Sequence, residues 1–137
     1  MAKPSIYVAN TAETTVETNG VLPLGNIVRR PCNKNLMLSG NEIQLLDQYS
    51  NYYDVTFSAT FTAPEAGDVT VVLEQNGVPV IGGTATQTVS TADTVTRNIS
   101  FSPTIRSASG CTLGNLRLVN TGIPATFSNI ALRVNKN

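Results

Sequence analysis

The 137-residue chain is predicted to be an all-β domain, an antiparallel sandwich or barrel, on three observations. The first is strict alternation through Tyr52-Tyr53-Asp54-Val55 and onward, with Val55, Phe57, Ala59, Phe61 and Ala63 on one parity and Thr56, Ser58, Thr60 and Thr62 on the other. Period-two alternation of that length marks a strand buried on one face. The second is Asn76-Gly77 between the apolar runs DVTVVLEQ and VPVI, a pair suited to a hairpin whose central residues need positive φ. The third is the recurrence of short alternating runs about every ten residues, separated by turn residues, without a credible helix.

The length suits one domain over residues 1–137, large enough to bury a core without disulfide staples. Nine acidic and nine basic residues cancel and charged residues make up 13% of the chain, so no net field draws it to nucleic acid or to an anionic membrane. No run is long and apolar enough for a membrane helix, and MAKPSIYVAN lacks the apolar core of a secretory signal, so folding in a cytosol is expected. Cys32 and Cys111 allow two thiols or one bridge; the reducing compartment favours thiols.

Taken in order, Ser5 to Ala9 is a short strand, and a Thr/Glu stretch follows in which Val16 is the one large apolar residue. Asn19-Gly20 marks a turn before VLPLGNIV, which Pro23 and Gly25 reduce to an edge or irregular strand. Arg29-Arg30 is either a solvated edge that discourages aggregation or half of an ion pair between subunits. LMLSGNEIQLL reads as a hairpin about Ser39-Gly40-Asn41, with a capped helical turn over residues 41–49 as the alternative.

The central strand from Tyr52, the turn Pro64 to Asp68, the strand bearing Val69, Val71 and Leu73, and VPVI together predict a three-stranded meander. Gly82-Gly83 suggests a bulge or loop entry, followed by a Thr-rich edge strand. Val95, Arg97, Ile99, Phe101 and Ile105 share a parity, which puts Arg97 at a sheet rim or against a partner chain. Leu116 and Leu118 point inward on a further strand, Asn120-Thr121-Gly122 turns the chain, and Ile130, Leu132 and Val134 are in register on the last strand.

The absence of histidine excludes Ser-His-Asp and Cys-His catalysis and the zinc hydrolase motifs. The carboxylate pairs Glu65/Asp68 and Glu13/Glu17 read as solvated surface. No nucleotide, phosphate-loop or calcium-loop pattern occurs, so no catalytic residue, cofactor or metal site is assigned. Asn98-Ile99-Ser100 matches a glycosylation acceptor but falls in mid-strand. Tyr49, Tyr52 and Tyr53 are either core and interface residues or a platform for a sugar.

The order of these pieces resembles the C1q/TNF-like trimeric jelly roll. Tyr52-Tyr53-Asp54-Val55 is similar to that family's Gly-x-Tyr strand, Leu73 to Val78 to its Asn-Gly hairpin, and Leu113-Gly114-Asn115-Leu116 to its Leu-x-x-Gly-Asp turn. Phe127-Ser128-Asn129-Ile130 is similar to the Phe-Ser-Gly that opens its last strand, with Asn129 in place of Gly. Met1-Ala2-Lys3, Ile6-Tyr7, Pro23-Leu24-Gly25, Val28-Arg29-Arg30 and Tyr52 to Val55 resemble short structural proteins encoded by phages and prophages of Gram-positive bacteria.

The resemblance implies an antiparallel jelly-roll sandwich of about 8–10 strands, a homotrimer, and a non-catalytic virion role in capsid decoration or a fibre head, assembled in the host cytoplasm. Tyr52, Tyr53, Phe57, Phe127 and Arg97 are the candidate threefold contacts, and a capsid or other virion protein is the expected partner beyond the chain itself. A module that binds bacterial surface glycans is the alternative. A spore-coat-like surface domain is weakened because the chain carries no Gly-X-Y stalk.

Overall fold

The computed structural model describes residues 4–30, 36–46, 52–90, 95–106 and 114–136. They form thirteen strands: β1 (Ser5–Asn10), β2 (Thr14–Val16), β3 (Gly20–Val21), β4 (Asn26–Arg29), β5 (Leu36–Ser39), β6 (Glu42–Leu45), β7 (Tyr52–Thr62), β8 (Gly67–Gln75), β9 (Val78–Val89), β10 (Arg97–Phe101), β11 (Thr104–Arg106), β12 (Gly114–Asn120) and β13 (Ala125–Lys136). One sheet has the order β10-β7-β13-β1-β4, with β11 also on β7 and β2 on β13. The other runs β5-β6-β12-β8-β9, with β3 on β12. Every pairing is antiparallel. The two inner faces enclose one apolar core.

The alternation in β7 holds residue by residue: Tyr53, Val55, Phe57, Ala59 and Phe61 are buried while Tyr52, Asp54, Thr56 and Ser58 are exposed. The expected meander does not form at its first turn. Both edges of β7 are taken, one by β13 and the other by β10 and β11, which leaves no backbone ladder for β8. Residues 63–66 therefore carry the chain from one sheet to the other. The Asn76-Gly77 hairpin between β8 and β9 does form, with φ of 55° and 80° at its two central residues.

More strands appear than expected because several runs are divided where the backbone cannot keep its ladder. Pro103 separates β10 from β11, yet its carbonyl accepts the Val55 N–H at 2.9 Å and holds both pieces on β7. Pro23 and Gly25 likewise divide VLPLGNIV, with β3 in one sheet and β4 at the edge of the other. Leu22 and Leu24, in the crossing, are fully buried. The Leu36–Leu45 segment is the expected hairpin, turning at Gly40 with φ of 60°. Residues 47–50 and both cysteines lie outside the described residues.

In β13 the inward parity changes from Ala125 and Phe127 to Ile130, Leu132 and Val134. Asn129, with φ of 50°, forms a bulge there, and the register with β7 slips between Ser128 and Ala131. Asparagine tolerates the left-handed region, so it takes this place where the resembling sequences carry glycine. The strand keeps its length of twelve residues.

Inside, Phe57 packs on Phe101 at 4.8 Å between ring centroids and Phe61 on Phe127 at 6.0 Å, both tilted. One polar side chain, Asn120, is buried among the described residues. Its amide donates to the carbonyls of Val16 at 3.1 Å and Ile123 at 2.9 Å, and its oxygen accepts the Gly122 N–H at 3.1 Å. Val16 lies on β2 and Asn120 on β12, so this side chain ties the two sheets together at one end.

Candidate functional site

The five residues expected at a threefold contact do not form one surface. Tyr53, Phe57 and Phe127 are fully buried within this chain, which corrects the expectation for them: a side chain with no exposed area in one copy has none to share with another. Arg97 stands half-buried at the start of β10, opposite Phe61, where the inner face meets the rim. Tyr52 is 58% exposed at the start of β7, opposite Arg106. Tyr52 and Arg97 therefore sit about 30 Å apart along β7, at ~3.4 Å per residue.

Tyr53 belongs to the core, as the first of the two readings of the tyrosines has it, and is not available to a sugar platform; Tyr49 lies outside the described residues. Glu13, Glu17, Glu65 and Asp68 are exposed, and Asp68 accepts the Thr88 hydroxyl at 2.7 Å. Asn98 and Ser100 are exposed on β10 on either side of buried Ile99.

The outward face of the β10-β7-β13-β1-β4 sheet is the most distinctive surface. Its cross-strand rows follow from the register. Three successive rows are small and uncharged: Ala9–Ala131–Ser58–Ser100, Ser128–Thr60–Asn98, and Thr15–Thr126–Thr62. Hydroxyls are paired within them, Thr60 with Ser128 at 2.8 Å and Thr15 with Thr126 at 3.0 Å. Among the described residues no ionisable side chain interrupts this band.

Beside the band the character changes. The next row is Arg29–Tyr7–Arg133–Thr56, and beyond it runs Ser5–Asn135–Asp54–Thr104. The Arg133 guanidinium lies 5.0 Å from the centroid of the Tyr7 ring. A hollow of about 260 Å³ is lined by Ser5, Ile6, Tyr7, Arg29, Arg133 and Asn135, and a second of about 190 Å³ by Tyr7, Thr56, Ser58, Ala131 and Arg133. Of these residues the sequence singles out Arg29 as a charged edge and Ile6-Tyr7 as part of the resemblance. Tyr7 and Arg133 were legible as outward by parity, since Ile6, Val8, Leu132 and Val134 point inward, but their pairing required the β1–β13 register.

A different surface lies at the β8–β9 hairpin. Ile81 is 98% exposed and Val78 64%, beside a hollow of about 290 Å³ that reaches Thr104, Ile105 and Arg106 on β11. Here Gly82, with φ of 84°, gives the bulge expected from Gly82-Gly83, and β9 continues past it as the sheet's edge strand.

No protein-family model matches the sequence, and no curated protein matches it. Solved structures do. The structure of Eiger TNF from S. frugiperda is similar with a TM-score of 0.76 at 9% identity, covering 100% of this chain and 94% of that one. The globular domain of zebrafish complement 1qA gives a TM-score of 0.64 at 11% identity, covering 98% and 96%. The PRD1 vertex protein P5 gives 0.63 at 14% identity, covering 99% and 98%. The two antiparallel sheets, their strand order and these whole-length similarities together establish a C1q/TNF-like jelly-roll fold.

Proposed function

We propose that the chain is a non-catalytic structural protein that works as a homotrimer in a phage virion, as a capsid decoration or as part of a vertex or fibre head. The observation that carries the reading is the uncharged band on the outward face of the β7–β13 sheet. Ala9, Ala131, Ser58 and Ser100 form one continuous row with small side chains, so another copy can approach closely without stranding a charge. Similarity in fold to C1q and TNF domains and to a phage vertex protein supports the same reading. The exposed apolar tip at Val78 and Ile81 is left for a partner other than a second copy, a capsid or other virion protein.

The test is solution mass by light scattering after size exclusion, repeated on dilution. The expected result is three times the chain mass of 14.5 kDa, stable at low concentration, because obligate interfaces commonly bury more than about 2,000 Å². A monomer at every concentration overturns the reading.

A further inference from the structure

We propose that the Arg29–Tyr7–Arg133 row is a binding site for a tetrahedral dianion, inorganic phosphate or the phosphate of a small phosphomonoester. The two arginines come from β4 and β13, on either side of β1, and each is directly opposite Tyr7 in the register. Second-neighbour strands are about 10 Å apart, a little more than the Debye length of about 8 Å at physiological salt. Among the described residues neither arginine forms an ion pair with a carboxylate. Two like charges beside one hollow repel, and an anion between them relieves that repulsion.

The shape and the donors narrow the ligand. The hollow of about 260 Å³ is larger than one phosphate group fills. Besides the two arginines it is lined by Tyr7 and Asn135, so residues that can donate come from three adjacent strands. A planar carboxylate presents two oxygens and is satisfied by one guanidinium. A tetrahedral anion presents oxygens in several directions and carries enough charge for two. The same hollow extends to Ser5 and Asn135, which suit the polar, uncharged part of a phosphomonoester such as a sugar phosphate.

The row and the hollow around it lie within a single chain, beside the uncharged band and with none of its residues, so the site is tested separately from trimer formation. Backbone amide NMR shifts are followed during titration with sodium phosphate and, separately, with glucose 1-phosphate, at ionic strength held constant with sodium chloride. Saturating shifts at residues around Tyr7, Arg29 and Arg133 are expected with either probe. Tighter binding of the sugar phosphate identifies a phosphomonoester site, and equal binding identifies a site for free phosphate. Arg29→Gln and Arg133→Gln are each expected to weaken binding about tenfold, while Arg117→Gln on the opposite sheet leaves it unchanged. Shifts that do not saturate, or that survive in the Arg29→Gln/Arg133→Gln double variant, overturn the proposal. Solution mass measured on the same samples keeps this result separate from the question of assembly.

Discussion

The two outward faces of the sandwich solve the same problem differently. On the β8–β9–β12 side the polar groups find partners within the sheet: Arg117 with Glu74 at 3.0 Å, Thr70 with Thr86 at 2.9 Å, and Thr88 with Asp68 at 2.7 Å. Val72 and Val119, directly opposite each other, are nearly buried although they face away from the core, being 7% and 5% exposed. On the β7–β13–β1 side an uncharged band lies beside two arginines that form no ion pair with a carboxylate among the described residues. The first face is satisfied by its own strands. The second has capacity left over, and a face of that kind is where self-association and ligand binding are to be sought.

The strongest way to break this comparison is to charge the band. Ala131→Arg should convert the proposed trimer to monomer, since each interface would bury an unpaired cation, a cost of several kcal/mol. Thr84→Arg, in the row of Val72 on the opposite face, should leave the mass unchanged. If both variants behave alike in light scattering, the two faces are not functionally different.

Next in size is Asn120, which holds the end where β2 and β12 meet. Asn120→Ala removes three hydrogen bonds, one buried at the Val16 carbonyl and two part-buried at the Ile123 carbonyl and the Gly122 N–H. A loss of about 2–3 kcal/mol in urea unfolding is expected, with the mass of the folded protein unaltered. A loss no larger than that of an ordinary surface substitution would show that the two sheets are not tied through this side chain.

Smaller effects distinguish the charges. Glu74→Gln should cost about 0.5–1 kcal/mol, and less at high salt, because the pair it breaks is partly exposed. Arg29→Gln should change stability by no more than about 0.5 kcal/mol in chloride, in the stabilising direction at low salt, because it removes a repulsion instead of a partner. Melting temperatures at two ionic strengths measure both signs, and a destabilisation of Arg29→Gln matching that of Glu74→Gln would mean that Arg29 is paired.

Much of the fold was legible because each strand needs one apolar face and says so in its own residues. Burial in β7 follows its parity from Tyr52 to Phe61, and the turns at Asn76-Gly77 and Gly40 stand where glycine and asparagine allow positive φ. The same pattern misled where aromatic residues were assigned to a contact between chains. Parity distinguishes inward from outward, but Tyr53, Phe57 and Phe127 were already inward, and the facing sheet covers them completely.

What the sequence alone determined is therefore local: the strands, most of the turns, the side of each strand that is buried, and the lack of histidine chemistry. Which strands are neighbours was decided by tertiary structure, because an alternating run states nothing about the partner on either edge. That is why β8 left the meander for the second sheet once both edges of β7 were occupied. It is also why Arg29, Tyr7 and Arg133, separated by up to 126 residues in the chain, became one row only when β4, β1 and β13 paired.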